Sequence, residues 1–214
     1  LERSTKKTLD NITKLTNQKL DQLKLLDVGC SNGAFIFTAN KSGIQCEGIE
    51  PAKEAALAAQ KAGLKVHQGF LEESDFPKES YDIITLFEVI EHLKNPVELL
   101  NACNRLLKKN GIMVIRTANT DSWTIRNLKG KWHYFNIGKH GGHISFFCKK
   151  SILALGAQTN FKIELFNTHS VTLCEKEKTS PVIYRFFKIM SEILNLPAKL
   201  TGNGQEMEVY LKKI

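Results

Sequence analysis

Apolar residues along this chain recur with two periods, and the switching between them marks out the elements. Leu9, Ile12, Leu15, Leu20 and Leu23 stand at helical spacing with polar residues between them, which predicts an amphipathic helix over residues 4–23. Short apolar runs follow at 25–28, 44–49, 65–68, 81–87 and 112–117, each a predicted strand, with predicted helices over 34–39, 52–62 and 97–107 between them. Gly63, Pro96 and the pair Asn110-Gly111 mark where these helices stop and start. A helix over 150–159, a strand over 161–167, an amphipathic helix over 181–194 and a strand over 206–212 complete the pattern. Strands alternating with helices predict an α/β fold, a parallel sheet covered on both faces with ligands at the carboxyl ends of its strands.

The pattern breaks between residues 121 and 148, where aromatic and histidine side chains, Trp132, Tyr134, His140 and His143 among them, gather between Gly138, Gly141 and Gly142. So long an irregular stretch in a compact fold usually carries function, and its place after the fifth strand makes it a predicted substrate lid. Packing on the core or on a dimer partner is the other reading. With 214 residues, 42% hydrophobic and 24% charged, the chain is expected to bury one core. The expected division is a single domain: a helical cap at 1–24, a ligand-binding core at 25–118, the lid at 119–148, and closing helices and strands at 149–214.

Composition narrows the setting. Five scattered cysteines with no C-x-x-C spacing exclude a zinc or redox pair and read as reduced thiols, hence an expected cytoplasmic location. No apolar run reaches the ~18–20 residues a membrane span needs, and the polar opening LERSTKKTLDN has no signal-peptide core. The start at Leu1 is expected to be that of a trimmed fragment. Thirty Lys and Arg against 22 Asp and Glu give a charge of +8 and a pI of about 9.2. The lysines are spread as singles and pairs with no arginine–aromatic stripe, so nucleic acid is not the expected partner. A lipid- or nucleotide-linked anionic substrate remains open, and monomer and homodimer are equally expected.

The candidate chemistry lies in LLDVGCSNGAFIFTANKSGIQCEGIE, residues 25–50. Gly29-Cys30-Ser31-Asn32-Gly33 spaces its glycines G-x-x-x-G between a predicted strand and a predicted helix. A dinucleotide turn needs G-x-G-x-x-G, whose middle glycine lets a pyrophosphate lie on bare backbone, and Ser31 fills that place here. The spacing argues against a nicotinamide oxidoreductase and for an adenosine-bearing cofactor without phosphates. Asp27 is placed to meet the turn amides or the cofactor, and Glu50 ends the second strand where a carboxylate takes both hydroxyls of a ribose. Taken singly, Asp27 also reads as a helix cap and Glu50 as a solvated strand end.

These residues resemble the class I S-adenosylmethionine-dependent methyltransferases, over residues 25–166. LLDVGCSNG is similar to the family's first motif, IEP at 49–51 to its ribose-binding acid, YDIITLFEVIEHLKNP to its fourth-strand motif, and LLKKNGIMVIRTAN to its fifth-strand segment. The branch most resembled is the small-molecule O-methyltransferases, including ubiquinone-pathway and surface-glycan enzymes. The resemblance implies a Rossmann-like sheet of seven strands, mostly parallel with the last antiparallel. It implies S-adenosylmethionine held by Asp27, Gly29, Cys30, Ser31, Gly33, Glu50, Pro51, Gly69, Phe70, Leu71, Phe87 and Glu88. Asn110, Ala118 and Phe70 depart from the family pattern, and Phe70 leaves the adenine without a carboxylate partner. A regulatory or inactive module of the same fold, and an RNA methyltransferase, are the alternatives.

Methyl transfer to a hydroxyl needs the acceptor aligned behind the methyl and a group to take its proton. Proximity and orientation supply ~7–11 kcal/mol, so no protein nucleophile is required. His92, after the fourth strand, and His143, in the lid, are the candidate bases. Either also reads as a structural histidine. Glu88, Glu91 and His92 spell E-x-x-E-H, which resembles a divalent-ion segment of some ubiquinone-pathway and small-RNA methyltransferases, with His143 or His140 as a further ligand. The same letters occur in relatives that use no metal, and no metal is the favoured expectation.

Overall fold

The computed structural model describes residues 2–135, 142–175 and 179–214. Its strands are β1 (Lys24–Val28), β2 (Gln45–Glu50), β3 (Val66–Gln68), β4 (Tyr81–Phe87), β5 (Leu107–Ala118), β6 (Phe161–His169) and β7 (Glu206–Lys213). The helices are α1 (Glu2–Thr16), α2 (Ala34–Lys41), α3 (Lys53–Lys61), α4 (Pro96–Leu106), α5 (Trp123–Leu128), α6 (Lys149–Gln158) and α7 (Pro181–Thr201). The strands form one sheet in the order β3-β2-β1-β4-β5-β7-β6, with β1 to β5 parallel and β7 antiparallel between β5 and β6. This is the predicted Rossmann-like α/β sheet with its antiparallel last strand.

Alternation along the strands sorts the core into two layers. Leu25, Ile83, Ile112 and Val114 pack with α1, α2 and α3 on one face, and Leu26, Ile84, Met113 and Ile115 with α4 and α6 on the other. Gly48 in β2 sets how closely α2 approaches. A Cβ there would lie 2.5 Å from both the Cys30 Sγ and the Ile36 Cδ1.

Several boundaries differ from the pattern-based reading, each for a local reason. α1 ends at Thr16 rather than near 23, because Asn17 turns left-handed (φ 54°); Leu20–Gln22 is a separate helical turn whose Leu20 still packs on the same layer. β5 begins before Asn110-Gly111, not after it. Leu107 pairs with Tyr81 and Ile112 with Ile83, so residues 108–111 bulge outward with Asn110 at φ 64°. α7 continues through Pro197 to Thr201, seven residues past its predicted end, and Gly202 at φ 73° caps it. The predicted lid contains α5, capped by the Ser122 hydroxyl accepting the Ile125 amide at 3.3 Å, while Gly138, His140 and Gly141 lie outside the described residues.

A buried carboxylate ties α1 to the sheet. Glu208 of β7 accepts from the Arg116 guanidinium (Nη2, 2.5 Å), from the Thr8 hydroxyl (3.0 Å) and from the Tyr210 phenol. Burial opposes its charge, but Arg116 foremost and these donors hold its pKa below the ordinary carboxylate value. Arg116→Met strips the cation from a buried carboxylate and is expected to cost about 3–5 kcal/mol in urea unfolding. A loss well under 1 kcal/mol would show that the other donors suffice.

Candidate active site

The turn after β1 is built from left-handed residues, Gly29 (φ 70°), Ser31 (φ 50°) and Gly33 (φ 76°). Two of these must be glycine for want of space as well. A Cβ on Gly29 would stand 2.5 Å from the Val89 Cγ2, and one on Gly33 2.4 Å from the Leu64 Cδ1. The Gly29 and Cys30 amides both donate to the Ile49 carbonyl (2.8 and 3.3 Å), pinning the turn to β2. Glu50 completes the clamp: its Oε2 accepts the Ser31 amide and its Oε1 the Ala52 amide, each at 2.8 Å. Each oxygen keeps a further lone pair for a ligand hydroxyl.

Asp27 is almost wholly buried and accepts the Thr85 hydroxyl at 2.6 Å, so its hydrogen bond goes to β4 and not to the turn amides. Burial pushes its pKa up to about 7, against the opposing pull of Thr85 and Arg116. Cys30 is buried at the turn, and the same cause drives its thiol up to about 12. A cleft of about 440 Å³ lies beside the turn, lined by Ile49, His67, Gly69, Phe70, Asp75 and Phe76. Gly69 donates to the Glu50 carbonyl at 3.1 Å, Phe70 is exposed, Pro51 is exposed, and Leu71 turns into the core. Phe87 meets Phe35 edge-on at 4.8 Å and carries the Arg116 guanidinium 4.1 Å above its ring.

A second cavity, about 380 Å³, opens at the carboxyl ends of β4 and β5, with Glu88, Ala118, Trp132, Tyr134, His143 and Glu206 in its wall. Tyr134 is sandwiched, stacking on Trp132 at 4.8 Å and on His143 at 3.9 Å. The His143 Nδ1 donates to the Tyr134 carbonyl at 2.9 Å, which fixes the ring and leaves Nε2 on its other side. His92 comes within 4.8 Å of His143, ring to ring, but is exposed and stands outside this wall. The two predicted bases are therefore together, with one of them in the cavity.

Glu91 ties together the two described stretches of the predicted lid. Its carbonyl accepts the Ile144 and Ser145 amides (2.9 and 3.0 Å), and its Oε1 accepts the Tyr134 phenol at 2.5 Å. Its Oε2 is buried with no hydrogen-bond partner among the described residues. Glu91, His92 and His143 each bring a ligating atom within 4.8 Å of the others; Glu88 stands outside this triad, and His140 is not among the described residues. Glu88 sits at a left-handed φ of 55°. Desolvation by the cavity walls, then the Glu91 charge, push it up to about 8, an effect that the solvent still reaching this exposed residue tempers. Gln205 and Glu206 escaped the motif-based reading, because their place follows only from the antiparallel register that sets Glu206 opposite Ala118.

Residues 2–165 match the methyltransferase domain family, and the chain belongs to that family. It is similar to the ubiquinone biosynthesis O-methyltransferase of Leptothrix cholodnii, 33% identical over 109 residues, 47% of this chain and 46% of that protein. The chain thus spans less than half the length of such curated relatives. Among solved structures it resembles a SAM-dependent methyltransferase from Archaeoglobus fulgidus (TM-score 0.64, 17% identity, covering 97% of this chain and 94% of that one). It also resembles the cyclase SpnF (TM-score 0.63, 15% identity, covering 99% and 81%). Those two likenesses concern the fold.

Asp27 makes stability pH-dependent in a stated direction. Its folded pKa lies above its unfolded one, so the folded state holds the proton more tightly, and stability falls as pH rises from about 4 to about 7. Asp27→Asn keeps the acceptor for Thr85 and should remove a pH-dependent contribution on the order of 4 kcal/mol across that window. Urea midpoints measured across the window check this, and an unchanged slope in the variant refutes it.

Proposed function

We propose that this protein transfers a methyl group from S-adenosylmethionine to a hydroxyl oxygen of a small-molecule, sugar or lipid-linked acceptor. The observation that carries the reading is the Glu50 carboxylate, locked between the Ser31 and Ala52 amides beside a turn that disfavours phosphates. The residues fit the cofactor. Glu50 retains lone pairs for two vicinal hydroxyls, Asp27 and the turn suit an amino-acid end, and the cleft by Gly69 and Phe70 suits a flat ring met by backbone and apolar contact. When bound, the cofactor supplies a sulfonium-borne methyl open to in-line displacement by oxygen.

The chain's own part is positioning and proton transfer. Trp132 and Tyr134 give the acceptor a flat wall that excludes water, and the His143 Nε2 takes the hydroxyl proton as the new O–C bond forms and the S–C bond breaks. The name O-methyltransferase on the curated relatives supports oxygen as the acceptor atom. Cys30, buried and held as a thiol, is not a nucleophile.

Calorimetric titration with S-adenosylmethionine and S-adenosylhomocysteine tests the reading. Glu50→Gln should weaken both about 10- to 100-fold. His143→Gln should keep the affinity and lose turnover about 100- to 10,000-fold against a panel of acceptors with labelled cofactor. Unaltered binding by folded Glu50→Gln sinks the proposal, and binding without product on any acceptor favours a regulatory module.

The grouping of Glu91, His92 and His143, with the Glu91 Oε2 buried and unbonded among the described residues, favours a second reading of the same wall, a divalent ion held by these three side chains. Such an ion would act as a Lewis acid on the acceptor hydroxyl. Tryptophan fluorescence on adding Mg²⁺ or Zn²⁺ reads this directly, since Trp132 stacks one ring away from His143. A saturable change reversed by chelator and lost in Glu91→Gln supports the site, and an identical response from the variant removes it.

A further inference from the structure

α7 presents apolar side chains on two opposite faces. Its inward face is marked by Ala198, fully buried, and by Asn195, whose side-chain oxygen accepts the Val171 amide at 2.7 Å. Half a turn away stand Val182, Phe186, Ile189, Ile193, Leu196 and Leu200, each between 53% and 82% exposed. Spaced at i, i+4, i+7, i+11, i+14 and i+18, they form one continuous stripe ~27 Å long. On the other described helices the exposed large apolar residues are few, such as Phe37 on α2, Leu57 on α3 and Leu153 on α6. A stripe this size left to water marks an interaction surface.

Charge selects the partner. Arg185, Lys188 and Lys199 border the stripe along one side with Glu192 the only acid on the helix, and Lys7 of α1 lies close to Lys199. No described helix is long and apolar enough to cross a membrane, so α7 suits the plane of an interface and not its normal. A second copy fits poorly. Antiparallel pairing through the stripe sets Arg185 and Lys188 against Lys199. A strip ~27 Å by ~10 Å also offers only about 300 Å² per chain, where a stable interface takes about 800 Å².

We propose that α7 docks the protein onto an anionic lipid surface, the stripe entering the acyl boundary and Arg185, Lys188 and Lys199 lying at the phosphates. The whole-chain charge of +8 adds long-range attraction to such a surface. The docked helix continues through residues 202–205 into Glu206 of the acceptor cavity, and the Asn119 amide holds the Gly202 and Gly204 carbonyls (3.2 and 2.9 Å) along that path. If the methyl-transfer reading holds, this places the cavity wall next to a lipid-borne acceptor. Docking itself does not depend on that reading.

The test is co-sedimentation of the chain with vesicles of phosphatidylcholine alone and of phosphatidylcholine mixed with phosphatidylglycerol, with no cofactor or acceptor present. Wild type should pellet with the anionic vesicles and be released by salt. The double variant Phe186→Ser/Ile193→Ser, both at solvent-facing positions, should bind about tenfold or more weakly with unchanged circular dichroism. Arg185→Glu/Lys188→Glu should lose the preference for phosphatidylglycerol. No pelleting, equal pelleting by the apolar variant, or indifference to lipid charge overturns the proposal. So does a dimer in ultracentrifugation that the apolar variant dissolves while no vesicle binds.

Discussion

A single carboxylate holds the cofactor end of this molecule together. Glu50 lies at the carboxyl end of β2, and its two oxygens reach in opposite directions, one to the Ser31 amide of the glycine turn and one to the Ala52 amide that opens α3. Backbone amides at a turn and at a helix start have no partner within their own element, so leaving them buried and unpaired is costly. The carboxylate satisfies both. With Gly29 and Cys30 donating to the Ile49 carbonyl, the turn is fixed to β2 from two sides, and its left-handed residues cannot relax. The shape of the ligand crevice is therefore set before any ligand arrives.

The cavity at the carboxyl ends of β4 and β5 is organised differently, by one residue that works through both backbone and side chain. Glu91 follows β4 in a short helical turn; its carbonyl gathers the Ile144 and Ser145 amides, and its carboxylate receives the Tyr134 phenol. Two stretches of the lid, one on each side of residues 136–141, are thus fastened to the same side chain and its own backbone. His143 is fixed as a consequence, stacked on Tyr134 and bonded through Nδ1 to that residue's carbonyl. Burial and the neighbouring carboxylates raise the Tyr134 phenol pKa, so it remains a donor throughout the physiological range.

The glycine turn and the acid that clamps it were legible in the sequence because their determinants are local. Glycine spacing, a buried strand before it and an acid twenty residues later are separated by less than one βαβ unit, and each constrains the backbone by its own chemistry. The α/β class was legible for the same reason, since strands and helices alternate with short connections, whereas the order of the strands was not. What was not legible depends on contacts distant in sequence. Glu206 reaches the acceptor cavity only because β7 runs antiparallel between β5 and β6, which brings its first residue to the carboxyl end of β5. Asp27 looked like a partner of the turn, yet Thr85 on the adjacent strand claims it through the β1–β4 register. The extension of α7 past residue 194 runs against the local signal of Pro197, and tertiary contact at Ala198 and Asn195 outweighs that one lost donor.

The fold alone does not decide the chemistry, since a cyclase shares it at nearly full coverage. What distinguishes this chain is the separation of its charges. The whole chain carries a net charge of +8, while the cavity at the ends of β4 and β5 collects Glu88 and Glu206 in its wall with Glu91 directly behind Tyr134. Burial first, and for Glu88 the Glu91 charge next, raise the pKa of the two wall carboxylates. Close carboxylates of this kind favour holding a proton or a cation between them and repel an anionic group brought near. A ligand hydroxyl can donate to such acids, whereas a phosphate brought beside them meets repulsion.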